Sequence, residues 1–180
     1  HWVQIKVPYA ITLSHTDVYR TPESVFTNAS NRAPGAGVFL GSDRIDALEF
    51  VSADLMDEAS WVEAARGCER ILHVASPVPV VQPEDEDEVI IPARTGTLNV
   101  LKAATANGIK RVVLTSSVAA VMSGNRDSGT FTDQDWTDLS RTDLSPYVKS
   151  KTVAEKAAWE YAKENELELV AINPALVLGP

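Results

Sequence analysis

RILHVAS, residues 70–76, is a short apolar run rich in branched side chains, and a long stretch with helical spacing follows it. The same order of an apolar run and then a helical stretch recurs along the chain from residue 46 onward. The pattern predicts strands at 47–55, 70–76, 111–117 and 167–174, and helices at 57–66, 90–107 and 147–164. This alternation predicts βαβ units, and therefore an α/β fold whose parallel sheet is covered by helices on both faces.

Residues that commonly begin and end helices stand at the boundaries of this pattern. Asp57 can cap the first predicted helix at its N-terminus. Gly67 and Gly108 follow the first and second helices, where a residue in the left-handed conformation often ends a helix. A Ser-Pro pair at 145–146 precedes the third helix, as is typical of a helix start.

The composition is that of a globular domain without a nucleic-acid or membrane partner. The 180 residues suffice for one domain with a full core, and 44% of them are apolar and 23% charged. A formal net charge of −9 argues against binding to nucleic acid or to an anionic membrane surface. Because no apolar run could span a bilayer and the first residues do not resemble a signal peptide, we expect a cytoplasmic protein.

Cysteine and histidine usage gives no indication of a metal site. Cys68 is the only cysteine, which excludes an internal disulfide and fits a reducing compartment. No cluster of cysteine or histidine residues has the spacing of metal ligands, so we expect no bound metal.

Polar and small residues stand at the carboxyl ends of the predicted strands. In a parallel sheet these ends meet at one edge, and ligands bind there. The informative residues are Asp54 after the first run, Ala75 and Ser76 after the second, and Ser116 and Ser117 after the third. We therefore expect a small-molecule site at this edge of the sheet.

Tyr147 and Lys151 are four residues apart at the start of the third predicted helix, so they lie on one face of it, whereas Lys149 points elsewhere. With a serine from a strand end, the two side chains could converge on one carbonyl oxygen. Free tyrosine ionises at about pH 10, and a nearby ammonium favours the phenolate, which suits a general acid or base. The serine hydroxyl would donate a second hydrogen bond to the oxygen as charge develops on it.

The combination of motifs resembles one known family. The motifs are the serine, the Tyr-x-x-x-Lys pair, ASP at 75–77 after a strand, GTLNVLKAA at 96–104 and NPALVLGP at 173–180. Over about residues 44–180 the chain resembles the extended short-chain dehydrogenases/reductases of the NAD-dependent epimerase/dehydratase superfamily. It is most similar to the branch of dihydroflavonol reductases, cinnamoyl-CoA reductases and aldehyde or ketone reductases. The resemblance implies a Rossmann-like, doubly wound parallel sheet that is incomplete at both ends.

The resemblance also implies roles for individual residues. Tyr147 would be the general acid in carbonyl reduction, or the base in alcohol oxidation, and Lys151 would assist it and hydrogen-bond the nicotinamide ribose. Ser117 would be the catalytic hydroxyl, and Ser116 is expected to face away. Cofactor contacts would come from Asp54 and Leu55 near the adenine, from Val74, Ala75 and Ser76 along the cofactor, from Tyr147 and Lys151, and from Pro174 and Val177 near the nicotinamide.

Residues 1–45 depart from the family's pattern. The family begins with a strand, a glycine-rich turn and a helix that binds the pyrophosphate, but GAGVFLG at 35–41 follows a polar stretch and leads into no helix. We interpret 1–45 as an atypical segment, aberrant up to about residue 40, and 46–180 as the Rossmann-like dinucleotide-binding and catalytic core. The C-terminal substrate domain is expected to be absent, so that the chain would be a fragment.

The sequence thus predicts an NAD(P)H-dependent oxidoreductase that reduces a small-molecule aldehyde or ketone. NADP is favoured by the most similar branch, and NAD is the alternative, because no residue could be assigned to the ribose 2′ position. Met122 stands where many flavonoid-reducing relatives have asparagine, which argues against dihydroflavonol. The resemblance also implies a homodimer joined by the two long helices. The alternatives are an inactive fragment, a non-catalytic dinucleotide-binding relative, and a nucleotide-sugar epimerase or dehydratase.

Several other conspicuous side chains are interpreted as structural. His73 lies inside a predicted strand, so we expect a packed core histidine. Thr97 and Asn99 are expected to satisfy local hydrogen bonds. Packing is also the interpretation for Trp61, Trp136, Trp159 and Cys68.

Overall fold

The described part of the chain contains a six-stranded sheet. The computed structural model describes residues 2–6, 9–13, 49–78, 83–123 and 129–176. The strands are β1 (Trp2–Lys6), β2 (Tyr9–Leu13), β3 (Glu49–Ala53), β4 (Arg70–His73), β5 (Arg111–Thr115) and β6 (Glu168–Ile172). They are ordered β3-β1-β2-β4-β5-β6. The four strands predicted from residue 46 onward are present, and each is shorter than the apolar run that predicts it.

The sheet is parallel apart from one strand. β2, β4, β5 and β6 pair in parallel, whereas β1 is antiparallel to both β2 and β3. β1 and β2 lie within the segment 1–45, in which the sequence pattern predicts no strand. Their runs, WVQIK and YAITL, are separated by only two residues and lack the following stretch of helical spacing that marks the later strands in the sequence. The GAGVFLG stretch lies outside the described residues.

Three helices connect the later strands. They are α1 (Glu58–Ala64), α2 (Asp87–Ala106) and α3 (Pro146–Glu164), and a short 3₁₀ turn (Val118–Ala120) follows β5. The Asp57 side chain accepts a hydrogen bond from the Ala59 amide at 3.1 Å and caps α1 as predicted. Gly67 and Gly108 have φ values of 76° and 70°, the left-handed conformation expected after a helix.

The three helices lie on one face of the sheet. The chain moves in the same direction across the sheet from β3 to β4, from β4 to β5 and from β5 to β6, so right-handed crossovers place every connecting helix on the same side. α2 packs against both α1 and α3. The largest side chains that this packing buries completely are Leu55, Trp61, Ile71, His73, Val100, Leu101 and Val112. The burial of Trp61 and His73 confirms their predicted packing roles.

The strand order reverses between β2 and β4. The strand that follows β2 in the sequence, β3, lies at one edge of the sheet. The strands that follow β4, which are β5 and β6, lie toward the opposite edge. In open α/β sheets, ligands bind in the crevice at the carboxyl ends of the strands beside such a reversal. The residues that follow β4 therefore stand at the expected position for a site.

Within the described residues, no helix combines the length and the apolar character needed to cross a bilayer.

Candidate active site

The N-terminal part of α3 brings Tyr147 and Lys151 together. The Ser145 hydroxyl accepts a hydrogen bond from the Val148 amide at 3.3 Å, and Pro146 occupies the first helical position, so the helix begins where the Ser-Pro pair predicts. Lys151 follows Tyr147 by one turn, and its Nζ atom lies 5.9 Å from the centre of the Tyr147 ring. The phenol and the amine therefore share one face of the helix.

The two lysines at the start of α3 have different environments. Lys149 forms an ion pair with Glu86, which immediately precedes α2. Lys151 is only 6% exposed, and burial lowers its pKa to about 8, although the nearby Glu155 charge acts in the opposite direction. A buried amine with such a pKa is common at functional sites, whereas a surface ion pair such as that of Lys149 is an ordinary structural contact.

A small cleft, open to solvent, lies beside the Lys151 side chain at the carboxyl ends of β4 and β5. Its walls are formed by Ala75, Ser76, Thr97, Leu114, Thr115, Ser116, Lys151, Ala154 and Glu155. Three of the residues that the sequence predicts as cofactor contacts, Ala75, Ser76 and Lys151, therefore surround one cleft. This is the position at which the strand order of the sheet predicts a ligand.

The two serines after β5 have different surroundings. The Ser117 hydroxyl oxygen accepts a hydrogen bond from the Ala119 amide at 3.2 Å, which leaves its O–H free to donate. Ser116 is 6% exposed, and its hydroxyl has no hydrogen-bond partner among the described residues. The structure places Ser116 in the wall of the cleft beside Lys151, which differs from the prediction that it faces away.

His73 lies at the end of β4, close to Lys151. Its ring is fully buried, and its Nε2 atom lies 3.4 Å from the Thr97 hydroxyl oxygen. Burial, assisted by the positive charge of Lys151, lowers the pKa of His73 to about 3. The ring is therefore neutral at physiological pH, and it serves as a packed polar group next to the cleft, as the sequence predicts.

The other predicted cofactor residues near β3 and β4 are more dispersed. Asp54 is exposed directly after β3, and its carboxylate accepts a hydrogen bond from the Met56 amide at 2.8 Å. The Leu55 side chain is buried in the core, and its carbonyl accepts a hydrogen bond from the Asn99 side chain at 2.8 Å. That bond joins α2 to the segment after β3, 44 residues away in the sequence, whereas the sequence pattern predicts a local hydrogen bond for Asn99. Val74 is half-buried between β4 and the cleft residues.

The residues near β6 include one that the structure does not describe. The Pro174 carbonyl accepts a hydrogen bond from the Val118 amide at 3.0 Å, so the segment after β6 lies beside the turn that follows Ser117. Val177 lies outside the described residues.

The donors around the cleft fit a nicotinamide cofactor. The Ser116 hydroxyl is buried without a partner among the described residues, and a buried polar group of this kind is normally satisfied by a ligand or by water. With the Lys151 ammonium it provides two donors in one wall, which suits the hydroxyls of a ribose. Ala75 and Ser76 are small, so a ligand can approach the backbone. In the described part of the chain, no three acidic, histidine or cysteine side chains group together as metal ligands.

Two polar residues of the site have no prediction from the sequence. Glu155 follows Lys151 by one turn of α3, and Asn173 follows β6. The Asn173 side chain donates to Glu155 at 2.8 Å and to the Ser117 carbonyl at 2.9 Å. The four-residue spacing of positions 147, 151 and 155 is visible in the sequence, but the partners of Glu155 come from a distant segment.

The family comparison agrees with this geometry. The sequence model of the NAD dependent epimerase/dehydratase family matches residues 18–180. The match begins within the segment 1–45 that the sequence pattern marks as atypical.

Curated relatives are reductases. Anthocyanidin reductase ((2S)-flavan-3-ol-forming) of Vitis vinifera is 43% identical over 140 residues, which cover 73% of this chain and 41% of that protein. Cinnamoyl-CoA reductase 1 of Petunia hybrida is 44% identical over 137 residues, with coverages of 74% and 40%. The chain thus spans about two fifths of the length of these relatives.

Solved structures of reductases share the fold. The yeast methylglyoxal/isovaleraldehyde reductase complexed with NADPH has a TM-score of 0.60 and 33% identity, over 71% of this chain and 43% of that one. Vestitone reductase from alfalfa (Medicago sativa L.) has a TM-score of 0.57 and 31% identity, over 68% of this chain and 39% of that one. These similarities support a Rossmann-like α/β fold.

Proposed function

This chain belongs to the NAD-dependent epimerase/dehydratase family, as an extended short-chain dehydrogenase/reductase, and from that premise we propose that it is an NAD(P)H-dependent oxidoreductase that reduces an aldehyde or ketone. One observation carries the proposal. Lys151 is buried beside a cleft at the carboxyl ends of β4 and β5, one helical turn from Tyr147.

The chain's own residues deliver a proton to the carbonyl oxygen and stabilise the negative charge that develops in the reaction. When bound, a nicotinamide cofactor supplies a hydride to the carbonyl carbon. The Tyr147 hydroxyl donates its proton to the carbonyl oxygen, which becomes the alcohol. The Lys151 ammonium favours the phenolate that remains, and the Ser117 hydroxyl donates a hydrogen bond to the oxygen as negative charge develops on it.

The proposed cofactor is NADP. The yeast reductase, which is 33% identical to this chain, is complexed with NADPH. The residues proposed to hold the cofactor here are Ser76, Ser116 and Lys151 around the cleft, with Asp54 proposed to lie near the adenine and Pro174 near the nicotinamide. NAD is the alternative, since no residue of this chain has been assigned to the ribose 2′ position.

The proposed substrate is a small carbonyl compound other than dihydroflavonol. Met122 is 50% exposed shortly after the 3₁₀ turn. Its thioether has no hydrogen-bond donor and is only a weak acceptor, so it cannot replace the asparagine of flavonoid-reducing relatives. Methylglyoxal and isovaleraldehyde, which name the activity of the yeast relative, are the first compounds to test.

The proposal that the chain is a homodimer through α2 and α3 can be tested separately by its mass in solution.

The test is a titration of the purified chain with NADPH and with NADH, followed by nicotinamide fluorescence. We expect micromolar binding of NADPH that Lys151→Ala weakens at least about 10-fold. Lys149→Ala is the matched control, because it removes the same charge two residues away without touching the cleft. Binding of neither cofactor, or equal losses in the two variants, would contradict the proposal.

Turnover is measured apart from binding, because the chain spans about two fifths of its curated relatives. NADPH oxidation is followed with methylglyoxal and with isovaleraldehyde. We expect Tyr147→Phe to lower kcat by about 100-fold or more while NADPH still binds. Tight binding without any turnover in the unsubstituted chain would favour the alternative, a dinucleotide-binding domain that does not catalyse the reaction.

A further inference from the structure

Glu155 is a buried carboxylate that the proposed reaction does not use. It is 4% exposed and follows Lys151 by one turn on the same face of α3. A carboxylate at such a position is costly unless its oxygens accept hydrogen bonds. Oε1 accepts from the Trp159 indole at 3.3 Å, and Oε2 accepts from the Asn173 amide at 2.8 Å. Each carboxylate oxygen therefore accepts a hydrogen bond from a donor of another residue.

Asn173 connects this carboxylate to the proposed catalytic serine. Its side-chain nitrogen carries two hydrogens, and it donates to Glu155 Oε2 and to the Ser117 carbonyl at 2.9 Å. The main chain on either side of Asn173 also pairs with the segment around Ser117, because the Ser116 amide donates to the Ile172 carbonyl and the Val118 amide to the Pro174 carbonyl. One side chain thus joins α3 to the backbone that carries the Ser117 hydroxyl.

The Asn173 side chain adds a connection to α3 that the main-chain hydrogen bonds around Ser117 do not provide. Ser117 lies after the end of β5, outside the regular ladder, and the 3₁₀ turn that follows packs against α3. The Glu155 carboxylate on α3 is the acceptor through which Asn173 connects the Ser117 backbone to this helix. A change of about 1 Å in the position of a catalytic group can cost about 100-fold in rate.

We propose that Glu155, acting through Asn173, is a positioning residue that holds Ser117 in place against the helix of the Tyr-Lys pair. This inference rests on the proposed function for the role of Ser117 in the reaction. The charge of Glu155 has a second consequence, since it opposes the effect of burial on the Lys151 amine.

The first test is amide hydrogen exchange, followed by NMR on the full 180-residue chain. The Ala119 amide donates to the Ser117 hydroxyl oxygen, so its exchange rate reports on the placement of that side chain. We expect Glu155→Leu and Asn173→Ala each to speed this exchange by about 10-fold or more. The double variant should exchange no faster than either single one, because both changes break the same link.

Two controls separate positioning from general destabilisation. Glu160→Leu removes a carboxylate from an exposed position of the same helix and should leave the Ala119 amide unchanged. Amides of α2, such as those of Val100 and Leu101, should keep their exchange rates in every variant. If Glu155→Leu does not fold, Glu155→Gln replaces it, because the two donors occupy different carboxylate oxygens and glutamine keeps an acceptor oxygen at only one of these positions. Unchanged exchange at Ala119, or equal acceleration in α2, would overturn the inference.

The second readout is turnover of methylglyoxal with saturating NADPH. Asn173→Ala, which leaves the cleft wall and the Glu155 charge in place, should lower kcat by about 10- to 100-fold with little change in the Kd for NADPH, and Glu155→Leu should lower kcat at least as much. If the unsubstituted chain bound neither cofactor, the proposed function would fail, and the exchange experiment would still decide whether Glu155 positions Ser117. If the Glu155 variant turned over as fast as the unsubstituted chain, the inference would fail and the proposed function would stand.

Discussion

Leu55 and Gly96 pack so closely that a β-carbon on Gly96 would lie 2.6 Å from the Leu55 Cδ2 atom. Leu55 follows β3 and is fully buried, whereas Gly96 is in the middle of α2. Three atoms of the leucine side chain would lie within 3.1 Å of that β-carbon, so rotation of its terminal methyl groups alone cannot relieve the contact. The missing side chain at position 96 therefore allows α2 to approach the sheet.

Gly96→Ala should destabilise the fold in spite of the better helix propensity of alanine. Overpacking costs about 1–3 kcal/mol, and the propensity gain is about 1 kcal/mol, so we expect a net loss of up to about 2 kcal/mol. Urea denaturation followed by circular dichroism measures the change. In a Leu55→Ala background, which removes two of these three leucine atoms and keeps the β-carbon at 3.0 Å, the loss should be smaller, and equal losses in both backgrounds would contradict the packing explanation.

The sequence predicts those features of the site that depend on neighbours along the chain. The Ser145 cap and the pairing of Tyr147 with Lys151 follow from spacings of three and four residues on one helix. The alternation of strands and helices from residue 46 likewise identifies the α/β fold, because each element has its own period.

The features that the sequence does not predict involve contacts between distant segments. Asn173 joins Glu155, 18 residues away, to Ser117, 56 residues away, and no periodic pattern contains these separations. The orientation of Ser116 is a similar case, since two adjacent strand-end serines cannot be distinguished before the cleft wall is known. The pairing of β1 between β2 and β3 also depends on long-range register.

His73 should make the fold sensitive to acid. Its pKa is about 3 in the folded chain and about 6.5 when unfolded, so the unfolded chain binds the extra proton between these values and stability falls as the pH is lowered through this range. Between pH 7 and pH 4.5 the loss should be about 3 kcal/mol. Well above pH 7 the ring is neutral in both states and contributes no pH dependence.

His73→Gln isolates this contribution, because it keeps a polar side chain without a titrating group. The free energy of unfolding is measured from pH 7 to pH 4.5 for both proteins. The difference between the free energies of unfolding of the two proteins should change by about 3 kcal/mol in favour of the variant as the pH falls. If this difference did not change with pH, burial would not lower the pKa of His73 in the folded chain.

The ion pair of Lys149 with Glu86 should contribute little stability. The two side chains are 23% and 46% exposed, so solvent and salt screen their attraction. A double-mutant cycle with Lys149→Ala and Glu86→Ala should give a coupling of about 0.5–1 kcal/mol that decreases in 1 M NaCl. A coupling well above this that salt does not change would mean that the pair is effectively buried.

Lys151 should lower the stability of the fold at neutral pH. Its pKa is about 8 in the folded chain, against an ordinary value of 10.5. At pH 7 the amine is protonated in both states, and the burial of its charge costs up to about 3 kcal/mol. Between pH 8 and pH 10.5 the folded chain has released a proton that the unfolded chain retains, so this cost diminishes as the pH rises.

Lys151→Met should therefore be more stable than the unsubstituted chain at pH 7, by up to about 3 kcal/mol, and the advantage should shrink toward pH 10. The same variant should lose NADPH binding, since methionine cannot donate a hydrogen bond to the ribose. Urea denaturation at pH 7, 8.5 and 10 measures the difference, and Lys149→Met, which removes a lysine of the same helix that does not line the cleft, serves as the control. A Lys151→Met protein that is less stable at pH 7, or whose advantage is the same at pH 10, would show that the amine is better solvated than its burial indicates. Higher stability together with lost binding would instead identify Lys151 as a residue whose charge is retained for function at a cost to the fold.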